Sequence, residues 1–587
     1  DTSVQLFLQR AVRAHVRFDA TTADFPAIIR ICRLVEGMPL AIELAAAWVQ
    51  TLSCGEITRE IERGLDILSL PARDLPARHR SMRAVFDHSW KLLTEEEQGV
   101  LLRLSVFKGG FRREAAEQVA EATLFVLSML VTKSLVRRSG AERYDLHELI
   151  RQFAAERFTE HPEVQTANQE RHSRYYLTFF SQADGRLRSA AQRETLAELI
   201  LEMDNFRAAW DWAISHHNIA RTCQASATLV YVYELRGWLA EGETVFRDAA
   251  KAIQSHPVEI ENDDEASTAM NAMRAHSAFF SFRLGRSAEA YTELRSSATS
   301  LQSCKDQVAA VQSLWYLGIV CWELGKFAEA NESLYASLEK ARACGERWFE
   351  AAAGEFIGIV MHEQGEYEQA RQHFIEALAI DRALGDPMIT AHVLAYMSQT
   401  SQALGETAEA ENFLRESLAL AQEIGYFSGM GHALDGLGRL TQMTNPTEAR
   451  ALFAASYGVY KEFGDLRNLA RVLSHQGYNA LALGDAASAH DSFIAVLRHA
   501  REGGFIPLAL DALVGIASLQ AKRGECEQAL ELLLTILNHP ASIQETKDRA
   551  ARLRTVSEAQ LTPLQIEAVQ THAGEKTLVS VVEDLLK

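Results

Sequence analysis

From residue 266 to 540 apolar positions recur three and four residues apart, which is the stripe of an amphipathic helix. A short phrase interrupts these stripes at regular intervals: LGRSAEA (284–290), LGKFAEA (324–330), QGEYEQA (364–370), LGETAEA (404–410), LGDAASA (483–489) and RGECEQA (523–529). The closing alanines Ala290, Ala330, Ala370 and Ala410 lie 40 residues apart, as do Ala489 and Ala529. One further unit falls between, closing on Ala449 in TNPTEA, where Asn445 stands in place of the turn glycine. A second glycine ends each later helix: Gly345, Gly385, Gly425, Gly464 and Gly504. Each unit predicts two antiparallel helices, with glycine in the left-handed position after a helix and alanine at a close helix contact.

The first 265 residues also read as mostly helical, without a repeat. Thr94-Glu-Glu-Glu97 is a capping box ahead of the apolar run Val100–Phe107. A Lys-Gly-Gly turn (108–110) and helical patterns at 113–120 and 123–134 follow. Leu135–Arg138 and Arg143–Leu146, around Ser139-Gly140, predict a short hairpin, and a helix follows to Phe158. Helices, a two-stranded wing and a further helix predict a winged-helix domain. Amphipathic stretches surround Met203–Ile214 and Trp238–Ile253.

The 40-residue units resemble tetratricopeptide repeats, lengthened by about six residues over the usual 34. Seven of them predict an α-solenoid with a concave face. Upstream, Gly37-Met-Pro-Leu-Ala-Ile-Glu-Leu-Ala-Ala-Ala47 resembles the GLPLA motif of the STAND signal-transduction ATPases. These are bacterial regulators related to the AfsR, MalT and LuxR-type activators and to NB-ARC proteins. Tyr144-Asp-Leu-His-Glu-Leu149 resembles their MHD motif, with Glu148 where the family has Asp. Met203–Trp210 and Arg236–Leu239 resemble the segment leading into their repeats. The resemblance implies a helical lid (1–80), a winged-helix domain (81–160), a helical arm (161–265), a repeat superhelix (266–540) and a helical cap (541–587). The fold class is mainly all-α.

That family carries a P-loop domain ahead of this region, and the chain contains no G-x-x-x-x-G-K-[ST]. It begins with Asp1, and so reads as part of a longer protein. The chain as it stands is expected to be no enzyme and to hold no cofactor or metal, with ADP or ATP and Mg expected in the full-length parent. The resemblance implies that Met38 and Pro39 face the nucleotide and that His147 contacts its β-phosphate in a resting state. Physically, Pro39 suits a first helical turn. His147, flanked by Asp145 and Glu148 in capping-box spacing, suits a helix N-terminus that attracts anions.

Charge and cysteines narrow the partners. A net charge of −19 argues against bulk nucleic-acid or anionic-membrane binding. Seven dispersed cysteines read as reduced thiols of a cytoplasmic protein. The apolar stretch Thr123–Val136 is too short to span a bilayer. Within the repeats, phase places Phe279, Phe282, Trp315, Trp322, His362, Glu363, Gln399, Gln402, Arg439 and Tyr478 on the concave face. Aromatic anchors among polar groups suit a groove for an inducer, whether peptide, protein or small molecule. The expected function is to keep an upstream nucleotide-binding domain ADP-bound until the repeats bind that inducer, controlling transcription, with self-association possible on activation. Two alternatives are a repeat scaffold without a switch and a DNA-binding winged helix with a repeat dimeriser. Arg112-Arg113 and Arg137-Arg138 are the basic pairs available to the latter.

Overall fold

The turn glycines set the architecture. In the computed structural model, which describes residues 2–15, 18, 20–69, 81–140, 142–255, 264–572 and 577–587, Gly285, Gly325, Gly365, Gly405, Gly484 and Gly524 all have φ between +71° and +88°. That left-handed conformation favours a residue without Cβ. The described residues form 31 α-helices and one small sheet. They divide into two compact units: residues 1–179 with 198–216, and residues 180–197 with 217–587. The stretch 161–265, expected as one arm, is therefore shared between them.

In unit 1 the helix Glu95–Leu104 starts at the predicted capping box. Thr94 Oγ1 accepts from the Glu97 N–H at 3.2 Å, and Glu97 accepts from the Thr94 N–H at 2.7 Å. Lys133 Nζ holds the same carboxylate at 2.6 Å. The sheet has three strands, β1 (Phe111–Arg112), β2 (Arg137–Arg138) and β3 (Arg143–Asp145), in the antiparallel order β1-β3-β2. The predicted hairpin is β2–β3. The strand β1 adds an edge that two residues of sequence cannot announce by periodicity. Segments 1–80 and 81–160, expected as separate domains, contribute to one hydrophobic core, from Phe7, Ile28 and Ile42 through Leu104 and Phe111 to Leu149 and Phe153.

Unit 2 contains the seven predicted helix pairs, from Asp264–Arg283 with Ser287–Leu301 to Ile506–Lys522 with Cys526–Asn538. All seven closing alanines are buried. In the degenerate repeat Asn445 has φ −141° and caps the next helix, accepting from the Glu448 N–H at 3.3 Å. The pairing starts one hairpin earlier than the repeat phrase indicates, with Ile219–Arg236 and Leu239–Gln254. Its turn is Gly237 (φ +66°), and Gly242 stands where the later units close on alanine. A Cβ at Gly242 would lie 2.9 Å from the Phe280 ring.

The array returns upon itself. A Cβ on Gly325 would come within 2.2 Å of the Ala541 Cβ, and one on Gly237 within 2.5 Å of Phe463. The buried N-cap Asp386 ties distant segments together, accepting from Tyr231 Oη (2.6 Å), Trp348 Nε1 (2.9 Å) and Gln192 Nε2 (3.1 Å). Among the described residues no single helix is long and apolar enough to cross a membrane. One sharply bent pair, Arg113–Ala120 with Leu124–Thr132, passes the same test only jointly, and its inner faces belong to the unit 1 core.

Two predictions follow from this packing. Gly325→Ala meets both the φ penalty and the Ala541 contact, whereas Gly345→Ala, with φ +79° and open space, meets the first alone. The left-handed penalty is about 1–2 kcal/mol and overpacking adds about 1–3 kcal/mol, so thermal unfolding should rank Gly325→Ala clearly below Gly345→Ala. The second concerns Asp381, fully buried with neither carboxylate oxygen hydrogen-bonded among the described residues. Burial, with Glu355 and Asp386 nearby, pushes its carboxyl up from 3.8 to about 9. The native state thus binds a proton that the unfolded chain releases, and this contribution to stability falls as pH rises from about 4 to 9. Asp381→Asn should flatten that dependence in urea unfolding at about pH 5 and about pH 8; an unchanged slope would assign it elsewhere.

Candidate functional site

Isolated charges inside apolar helices mark the interior of unit 2. Arg283 ends the run Phe279-Phe-Ser-Phe, Glu323 follows Val320-Cys-Trp, and Glu355 sits between Ala351–Gly354 and Phe356–Val360. Closure of the superhelix brings such charges to partners far along the chain. Arg467 Nε lies 2.5 Å from Glu323. Arg283 bonds Glu234 and, at 3.2 Å, Asp465. Arg439 meets Glu545 at 3.1 Å, and Arg549 meets Asp511 at 2.8 Å. Burial works against ionisation of Glu545, but Arg439 and Arg549 outweigh it and hold the carboxyl down at about 2.

These pairs enclose two chambers. The first, about 110 Å³, is bordered by Phe279, Phe282, Trp315, Trp322 and Phe356 on one side and by Arg283, Glu355, His392, His432, Asp465 and Arg467 on the other. The second, about 80 Å³, is bordered by Trp322, Glu363, Gln399, Arg439 and further charged groups. Trp322, Tyr396 and Arg467 border both.

The concave-face residues therefore do not share one open groove. Phe279, Phe282 and Trp322 are at most 5% exposed. Trp315 is half-buried and donates to the Ala352 carbonyl at 3.3 Å. Trp322 donates to Glu363 at 2.7 Å and lies under the Arg467 guanidinium, 4.3 Å from its ring centre. Tyr478 donates to the Asp511 carbonyl at 2.7 Å and packs under Arg549, behind two residues that border the second chamber. His362 Nδ1 is 3.0 Å from Thr400 Oγ1, and burial pushes its ring down to about 4. Gln402 is half-buried and borders neither chamber. Repeat phase located this face. It could not show the arginines and carboxylates that close it, because their partners lie in other repeats.

A second constellation lies within unit 1. Helix Pro39–Ala47 begins at Pro39, which is exposed, after Glu36 and Gly37 with positive φ and the extended Met38. Met38 packs on the core. His147 is not in the first turn of its helix but is the N-cap of Glu148–Phe158. Its Nδ1 accepts from the Leu149 N–H at 3.2 Å, so the cap is the ring itself, and Asp145 instead pairs with Arg137 at 2.6 Å. That role leaves Nε2 as the ring's donor. Glu36 accepts from the Glu148 N–H at 2.8 Å, pairs with Arg137 at 2.6 Å, and lies 3.9 Å from His147 Nδ1. Burial lowers the His147 pKa, with Glu36 opposing. The two motifs, more than a hundred residues apart in sequence, thus meet at one helix N-terminus.

Because Trp322 is packed on both sides, Trp322→Ala should lower stability by the cost of a buried large-to-small change, about 3–5 kcal/mol. Chemical denaturation of the variant checks this. A loss below about 1 kcal/mol would return Trp322 to the role of an accessible anchor.

The tetratricopeptide repeat family model matches residues 349–423. A Mycobacterium tuberculosis protein described as an HTH-type transcriptional regulator is 32% identical over 266 residues, which is 44% of this chain and 30% of that protein. Its Mycobacterium bovis counterpart matches equally. The chain thus spans less than a third of the length of these relatives. Among solved structures, a STAND protein with a tetratricopeptide repeat sensor from Pyrococcus horikoshii aligns with 15% identity and a TM-score of 0.44, covering 97% of this chain and 74% of that one. A Rap protein complexed with competence and sporulation factor aligns with 14% identity and a TM-score of 0.43, covering 69% and 98%. The chain thus carries tetratricopeptide repeats and is similar over 44% of its length to proteins described as transcriptional regulators.

Proposed function

We infer that the chain is the regulatory and sensor portion of a STAND-type transcriptional regulator. Unit 2 takes up an inducer, and unit 1 holds an upstream nucleotide-binding domain in its ADP-bound resting state. The observation that carries this reading is the meeting of the Glu36–Pro39 turn with the His147 cap. A helix N-terminus whose N–H groups are held by exchangeable side-chain acceptors, with a ring donor beside them, suits a phosphate. Here the Glu36 carboxylate lies at that end, the kind of group a diphosphate would replace. The winged helix-like arrangement of 81–160 serves inside the switch rather than on DNA. Arg112 is drawn to Glu198 and Glu202, and Arg137 to Glu36 and Asp145. The outer face of helix Leu124–Thr132 carries Leu124 and Phe125, both exposed, where a groove-reading helix needs polar side chains.

Coupling requires the inducer to bind the open and closed arrangements with different affinity. On its own the chain should neither turn over ATP nor hold ADP tightly, since the phosphate cradle belongs to the upstream domain. Calorimetry with ADP and phosphate release test this, and micromolar binding or turnover would contradict it. In a chain that includes the upstream domain, His147→Ala should remove one hydrogen bond to a charged group, speeding ADP release by about 10- to 150-fold and raising basal activity. An unchanged ADP off-rate would remove His147 from the mechanism.

A further inference from the structure

The two chambers of unit 2 differ in kind and share a wall. The first is walled by rings in mutual contact: Phe279 with Trp315 at 6.2 Å, and Trp315 and Trp322 each edge-on to Phe356 at 5.9 Å. The indole N–H groups are already engaged, Trp315 with the Ala352 carbonyl and Trp322 with Glu363. What these rings present to the chamber is carbon. A cavity of 150 Å³ takes a benzene ring, and this one, at about 110 Å³, is near that size. It suits a single aromatic group.

The second chamber is polar, and its charges are unequal. Each arginine bordering it has a carboxylate: Arg467 with Glu323 (2.5 Å), Arg471 with Asp435 (3.5 Å), Arg439 with Glu545 (3.1 Å) and Arg549 with Asp511 (2.8 Å). Glu363 has none within ion-pair distance among the described residues. Its one hydrogen bond there comes from Trp322 to Oε2, which leaves Oε1 unclaimed. Burial raises its carboxyl to about 7, against the pull of Arg467. An anionic ligand would have to break an existing pair. A cationic one would complete Glu363, the carboxylate bordering this chamber that has no basic partner among the described residues.

We propose that the interior of unit 2 binds an aromatic amine, with the ring in the first chamber against Trp322 and the ammonium on Glu363 in the second. This rests on the inference above that the ligand enters the solenoid interior. Trp322 joins the two subsites, since its ring borders the first and its N–H touches Glu363. Two sources present this chemistry, a free arylalkylamine and the aromatic N-terminal residue of a peptide, whose α-ammonium lies two carbons from its ring.

The test uses the full chain and four probes: phenethylamine, 2-phenylethanol, phenylacetate and Phe-Gly-Gly amide, followed by calorimetry and tryptophan fluorescence. Phenethylamine should bind at least about tenfold more tightly than 2-phenylethanol, the margin of a charge-assisted hydrogen bond. Glu363→Gln keeps the acceptor for Trp322 and should melt like the parent, yet abolish that preference. Tighter binding of the peptide than of phenethylamine supports the proposal with a peptide terminus as source, and the reverse order supports it with a free amine. Preference for phenylacetate overturns the amine while retaining a ligand-binding interior. Equal affinities, a preference that survives Glu363→Gln, or no binding at millimolar concentration overturn the proposal, and the His147 experiment judges the switch separately.

Discussion

The interior of unit 2 depends on ion pairs that bridge its superhelix. Arg467 with Glu323 and Arg283 with Asp465 link repeats that are far apart in sequence, and Glu234 of the neighbouring hairpin joins the second pair. Glu323 and Asp465 are almost fully buried, so each needs its arginine. A solenoid built of nearest-neighbour contacts alone would be springy along its length. These long-range pairs close it, and in closing they define the two chambers and fix Trp322 between them. Such pairs do not guarantee net stability, because desolvating both ions costs much of what their attraction returns. Their effect is to select one arrangement of the repeats over more open ones.

The same logic operates on a smaller scale in unit 1. Glu36 reaches from the turn before Pro39 to the helix capped by His147, while Arg137 bridges Glu36 and Asp145. A carboxylate at a helix N-terminus is favoured by the unpaired N–H groups and the helix dipole. Both units thus hold buried or half-buried charges in pairs that span distant segments.

Much of this was legible in the sequence. The turn glycines and closing alanines predicted each hairpin of the array, because a left-handed turn and a close helix contact leave few residue choices. The earliest hairpin lacks that signal because Gly242 replaces the alanine and the interval to the next turn is longer. The strand β1 escaped because two residues carry no period. At the candidate site, repeat phase put Phe279, Phe282, Trp315 and Trp322 on one face, and the structure brings them to one chamber rather than an open groove. Whether a solenoid is open or closed depends on how small rotations between repeats accumulate, and no local pattern encodes that sum. Likewise, the motif around His147 marked a helix start, but the ring's own capping bond and the Glu36 contact needed three dimensions.

The central claim, that cross-superhelix ion pairs close unit 2, is most directly tested by a double-mutant cycle on Arg467 and Glu323. Arg467→Met, Glu323→Gln and the double variant would be compared by denaturant unfolding. Each single change leaves a buried partner unmatched, so the account predicts that the double variant is less destabilised than the sum of the two, with a coupling energy of about 1–3 kcal/mol. Strict additivity, with each variant behaving as an independent surface change, would contradict it.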